Sequence, residues 1–180
     1  MKTKNFSFQS HLKKFDKHIQ SEQITKFEKL KKKLLEIKKS KRKVMIAGNG
    51  GSSAIASHVS VDLTKNCRIR CINFNEYDLI TCFANDFGYE KWLKKAIEYY
   101  FDKGDCLILI SSSGKSKNIL NAARYAKKKG IHLITFSGFK SNNPLRNLGN
   151  TNFWVNSKDY NIVESVHQIW LLTLVDSLLI

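Results

Sequence analysis

A single proline in 180 residues, Pro144, leaves nearly the whole chain open to regular helix and strand, since proline is the residue that interrupts both. No run of 18 apolar residues occurs, so a membrane-spanning helix is not expected. Met1 to Ser10 lacks the apolar centre of a secretory leader, and the expected location is the cytoplasm. Cysteine is scarce as well. Cys67 and Cys71 have C-x3-C spacing with no second pair, and Cys82 and Cys106 sit in apolar company, which argues against a structural zinc site. Acidic residues number 15 against 31 Lys and Arg, a formal charge of +16. Nearly half of those cations precede Val44, interleaved with apolar residues in helical patterns. A solvated helix face accounts for that arrangement, and nucleic acid is not an expected partner.

What the chain does contain is organised around Leu107 to Ser116, L-I-L-I-S-S-S-G-K-S. Four apolar residues make a short buried strand, and Ile119, Leu120, Ala123 and Ala126 begin a helical pattern beyond the serines. Hydroxyls and free backbone N–H groups thus gather at a helix N-terminus, where an oxyanion such as phosphate is best held. A second unit of the same kind lies upstream. Val44 to Ala47 is an apolar strand, Gly48, Asn49, Gly50, Gly51, Ser52 and Ser53 form a small-residue turn, and a helix follows. The turn lacks the third glycine of a dinucleotide fingerprint and the closing Lys-Ser or Lys-Thr of a P-loop, so no nucleotide cofactor is expected.

Two amphipathic helices precede these units, one over Asn5 to Gln20 with the stripe Phe8, Leu12, Phe15 and Ile19, the other capped by Ser21. Further strands are expected over Arg68 to Asn73, Ile131 to Phe136 and Asn152 to Val155. Helices are expected over Asp78 to Ala84, over Tyr89 to Phe101, with Trp92, Leu93, Ala96, Ile97 and Tyr100 inward, and over Asn161 to Ile180. The fold class is therefore α/β, a five-stranded parallel sheet between helical layers, with residues 1–40 an N-terminal helical hairpin and 41–180 the main domain. Ligands of such sheets bind beyond the C-terminal strand ends, where both small-residue turns fall.

Among residues able to do chemistry, His58 and Asp62 stand one helical turn apart after the glycine turn. They read as a base with its orienting partner, as two metal ligands, or as an exposed polar pair. Asn161, Glu164, His167 and Gln168 interrupt the apolar C-terminal helix and need polar partners, from a ligand or a subunit interface.

The set G-N-G-G-S-S at 48 to 53, A-N-D-F-G at 84 to 88, I-S-S-S-G-K-S at 110 to 116 and E-S-V-H at 164 to 167 resembles the sugar isomerase (SIS) fold and, within it, the phosphoheptose isomerase subfamily. That subfamily also holds a replication-initiator-associated regulator of similar length. The resemblance implies a flavodoxin-like three-layer sandwich and a homotetramer in which a neighbour's C-terminal helix completes each site. It implies a sugar phosphate held by Ser111, Ser112, Ser113 and Ser116, with Asn49, Gly50, Ser52, Ser53, Asp86, Asn161 and Gln168 about it. The reaction implied is conversion of sedoheptulose 7-phosphate to a heptose 7-phosphate for surface polysaccharide. The family's glutamate base falls on Asp62, its first histidine ligand on His58 and its helix glutamine on Glu164, while its second histidine falls on Leu172. A rearranged site of His58, Asp62 and Glu164, with or without zinc or another divalent metal, is the expectation; the alternative is a sugar-phosphate-binding module without turnover.

Overall fold

The computed structural model describes residues 7–19 and 24–179. Ser21 and its expected cap lie outside them. Five strands form one parallel sheet in the order β2-β1-β3-β4-β5, where β1 is Val44–Ala47, β2 Cys71–Asn73, β3 Cys106–Ser111, β4 His132–Ser137 and β5 Thr151–Trp154. β1 and β3 are buried along their full length, as continuous apolar runs covered on both faces must be. Four strands differ from their sequence outlines: β3 runs one residue further at each end than Leu107 to Ile110, and β4 lies one residue later than Ile131 to Phe136. β2 starts three residues later than Arg68 because Arg68 takes a left-handed φ of 54°, which no strand residue can hold. β5 starts one residue earlier than expected, with Thr151 beside Ile134.

The helices divide between the two faces. α2 (Ile24–Lys39), α3 (Gly51–Lys65) and α7 (Tyr160–Ser177) share one core with the sheet, α1 (Phe8–Ile19) packing against it through Phe15 and Ile19. α5 (Trp92–Tyr100) and α6 (Lys117–Lys129) share the other, with α4 (Tyr77–Phe87) packed beside α5. α2 buries Leu30, Leu34 and Ile37, each contributing about 2 kcal/mol of apolar transfer. Trp92, Leu93, Ala96 and Ile97 of α5 are buried as expected, but Tyr100 is half exposed and meets Phe74 only edge-on. On the first face Phe153 stacks on Phe136 at 4.6 Å and tilts against Phe27 at 4.8 Å, tying β4, β5 and α2 together. Asp159 caps α7 by accepting from the backbone N–H groups of Asn161 and Ile162, worth about 1 kcal/mol.

This order has a functional consequence. The helix leaving β1 lies on one face of the sheet and the helix leaving β3 on the other, so the chain parts in opposite directions beyond the C-terminal ends of two paired strands. A crevice at that point is where open α/β sheets take ligands. Among the described residues, no helix is long and apolar enough to cross a membrane.

Candidate active site

Both turns at the switch point have helix N-termini whose cap residues make no side-chain hydrogen bond to the helix: Gly50 before α3 and Ser116 before α6. The serines are therefore not spent as caps. Ser116 Oγ instead lies 3.3 Å from Ser111 Oγ, Ser113 Oγ accepts from the Lys115 N–H at 3.3 Å, and Ser112 Oγ donates to Glu164 Oε1 at 3.1 Å. Ser111 and Ser112 are buried, while Ser113 and Ser116 are half-buried.

The shape of this loop depends on Gly114, whose φ is +65° and whose missing Cβ would lie 2.0 Å from Asn143 Oδ1. Asn143 is itself 1% exposed. Its amide nitrogen donates to Ser137 Oγ and to the carbonyls of Gly138 and Lys140, and its oxygen accepts from the Arg146 N–H. A buried side chain so fully bonded fixes the turn after β4, which is held to the serine turn by the Gly138 N–H on the Ser112 carbonyl and the Leu145 N–H on the Gly114 carbonyl. A matching brace joins the first turn to the second. Asn49 and Asn118 exchange amide hydrogen bonds at 3.0 and 2.9 Å across the switch point.

Beside the turns, α3 and α7 enclose a cleft of about 480 Å³ whose lining includes His58, Asn161, Glu164, Ser165 and Gln168. Glu164 reaches the first turn of α3 so closely that a Cβ on Gly51 would lie 2.2 Å from its Oε2. A carboxylate at that place is favoured by the helix dipole. His58 Nε2 lies 3.3 Å from Asp62 Oδ2, with the His58 side chain 50% exposed and that of Asp62 23%. Asp62 also accepts from Asn66 Nδ2 at 3.2 Å and is not part of the cleft wall.

Several expected residues stand elsewhere. Among the described residues no three His, Cys, Asp or Glu side chains converge as a metal site, so the expected trio of His58, Asp62 and Glu164 is not assembled in one chain. Asp62 is engaged by His58 and Asn66, whereas Glu164 turns to Ser112 and Gly51. Asp86 is exposed near the end of α4, bonded only locally by Asn85 and Cys82. Ser53 donates to Asn75 Oδ1 at 2.7 Å, and Asn75 also donates to Ser57 and to the Ser53 carbonyl, so Ser53 fastens α3 to the segment after β2.

His167 belongs to the core. It is fully buried between Phe136 and Trp170, its Nε2–H donates to the Ser137 carbonyl at 3.1 Å, and burial lowers its pKa to about 4. Leu172, four residues beyond Gln168, is half-buried and packs on the core. Asn75, Asn118 and Asn143 were not singled out from the sequence. The one available signal was that each is an amide close to a strand end or small-residue turn, where backbone groups need partners.

A family model described as SIS domain matches residues 7–138. The phosphoheptose isomerase of Fusobacterium nucleatum is 31% identical over 176 residues, covering 94% of this chain and 90% of that protein. Its counterpart from Histophilus somni is 38% identical over 144 residues, covering 77% and 72%. The solved phosphoheptose isomerase of Neisseria gonorrhoeae superposes with a TM-score of 0.86 at 20% identity, over 94% of each chain, a likeness in fold.

Proposed function

The chain belongs to the SIS domain family and to its phosphoheptose isomerase branch, and from that premise we propose that it is a ketose–aldose isomerase acting on a sugar phosphate. The observation that carries the reading is the hydrogen bond from Ser112 to Glu164, which puts a carboxylate of the α3/α7 cleft directly against the serine turn. An anion-holding loop and a base are thus adjacent.

The hydroxyls of Ser111, Ser113 and Ser116 and the α6 N-terminus bind the phosphate and fix the far end of the sugar, while Ser112 gives its hydrogen to Glu164, which with His58 faces the carbonyl end. With a 2-ketose, Glu164 takes a proton from C1, and the electron pair forms the C1–C2 double bond as O2 gains a proton to give the enediol. Returning the proton to C2 while O1 loses its own yields the aldose, and no atom is gained or lost. His58 is placed to move the proton between oxygens. Asp62 acts through His58 by accepting from Nε2–H, which leaves Nδ1 free for substrate, and is a positioning residue. Because the three donors do not converge, no step is assigned to a metal.

The substrate proposed is sedoheptulose 7-phosphate or a close relative, supplying heptose for surface polysaccharide. The assembly proposed is a homotetramer that covers the exposed apolar side chains Leu12 (64% exposed), Val61 (57%) and Ile169 (37%). Leu172 supports a second reading, binding of the sugar phosphate without turnover, since it supplies no proton carrier where the family places a histidine. Incubation with sedoheptulose 7-phosphate and chromatographic assay of the aldose decides between them. Product formed by the wild type and lost in Glu164→Gln supports the isomerase; saturable binding without product in either protein supports the second reading.

A further inference from the structure

At the opposite end of the sheet, ahead of β1 and β2, a hollow of about 310 Å³ is lined by Lys38, Lys41, Arg42, Arg68 and Arg70. Every one is a cation. Lys38 and Lys41 close α2, Arg42 leads into β1, and Arg68 and Arg70 lie between α3 and β2. Among the described residues none of the five takes part in a salt bridge. The adjacent Lys43 is held by Asp102 and Asp105 at 2.6 and 2.5 Å, leaving one surplus negative charge there. The C-terminal ends of α2 and α3 add roughly half a negative charge each. Five positive charges against these leave a net of roughly +3 focused in a concave space.

The backbone separates this cluster from an ordinary lysine-rich surface. Lys41 and Arg68 have φ of 55° and 54° and are two of only three described non-glycine residues in the left-handed region. Lys41 N–H bonds the Lys38 carbonyl and Arg42 N–H bonds the Ile37 carbonyl, both at 3.1 Å. That is the helix-ending turn whose left-handed position is normally glycine. A cation therefore occupies a place that the fold itself would fill more easily with glycine, and does so twice around one hollow. The Arg70 guanidinium donates to the Lys41 carbonyl, joining the two segments into one rim. A bounded hollow of about 310 Å³ suits a compact anion better than a long polymer, which would need a charged strip.

We propose that this hollow binds a compact anion carrying two or more linked phosphate groups, at a site separate from the sugar-phosphate turns. Linked phosphates match several cations at once through charge-assisted hydrogen bonds, which orthophosphate cannot do to the same extent.

Calorimetric titration of the full chain with inorganic pyrophosphate, tripolyphosphate and orthophosphate tests this. A saturable site distinct from the serine turn, one that persists in Ser113→Ala, is expected, with tripolyphosphate at least roughly tenfold tighter than orthophosphate and log K falling with log salt. Lys41→Gly with Arg68→Gly relieves both left-handed residues. It should weaken tripolyphosphate at least roughly tenfold while Tm falls by no more than about 3 °C and isomerase turnover is retained. Lys38→Gln with Arg42→Gln, which leaves the backbone alone, should give the same loss, and Ser113→Ala should not. Affinity unchanged in both cationic variants, or lost in Ser113→Ala, overturns the proposal. So does tighter binding of a short DNA duplex than of tripolyphosphate that disappears in the same variants, since the surface would then be one for nucleic acid.

Discussion

Replacing Gly51 by alanine separates catalysis from stability at a single methyl group. The added Cβ would stand 2.2 Å from Glu164 Oε2 and 2.8 Å from its Cδ, where ordinary contact begins at 3.4 Å. The carboxylate is the end of a flexible side chain, so it retreats by about 1 Å at little cost, and its 3.1 Å bond from Ser112 is lost. A displacement of about 1 Å in a group that transfers a proton lowers turnover on the order of 100-fold, about 2.7 kcal/mol of barrier. Folding changes far less, by about 1 kcal/mol, because the lost Ser112 bond is partly offset by the preference of a helix for alanine over glycine. The assay is kcat for the sugar phosphate beside Tm. A turnover within threefold of wild type at unchanged Tm would refute the assignment of Glu164 as the base.

Gly114→Ala should do the reverse, lowering stability by about 3 kcal/mol as strain at φ +65° adds to collision with the buried Asn143 amide; chemical denaturation at pH 7 reads it. Asn118→Ala leaves Asn49 without its partner on both amide atoms and should cost about 2 kcal/mol and raise KM more than it lowers kcat, which steady-state kinetics with denaturation can check. For His167 the folded pKa, about 4, lies below its ordinary 6.5, so the unfolded chain binds the extra proton between those values. Its stabilising contribution is complete above about pH 6.5 and is lost as pH falls toward 4, roughly 3 kcal/mol in all. Denaturation midpoints measured across that window should show the slope in wild type and a smaller one in His167→Gln.

The strands were legible because buried parallel strands are continuous apolar runs, V-M-I-A and L-I-L-I, and each is followed by small residues and then a helical period, whereas their order in the sheet comes from the structure. The serine turn and the cleft face of α7 were legible for the same reason: Asn161, Glu164 and Gln168 are polar at helical spacing in an apolar segment. His167 shows the limit. It is polar and next to Gln168, yet three residues past Glu164 the helix has turned it toward β4, and only the packing of Phe136 and Trp170 reveals that it is a core residue. Asp86 shows another, since a motif match carries no information on where α4 ends relative to the two turns. The amides Asn75 and Asn118 gain their roles from partners 18 to 69 residues away, and Asn143 from four backbone and hydroxyl partners that only the folded turn after β4 brings together. Within one chain His58 and Asp62 pair on one face of α3, as their spacing dictates, while nothing in the sequence says that Glu164 is drawn to Ser112 and Gly51.

Proton exchange tests the central claim most directly. Purified protein is incubated with sedoheptulose 7-phosphate in deuterated water and followed by NMR. A base at Glu164 predicts deuterium appearing at the carbon beside the carbonyl, lost in Glu164→Gln while that variant still binds the sugar phosphate through its intact serine turn. Exchange that persists in Glu164→Gln, or binding by the wild type with no exchange at all, would contradict it.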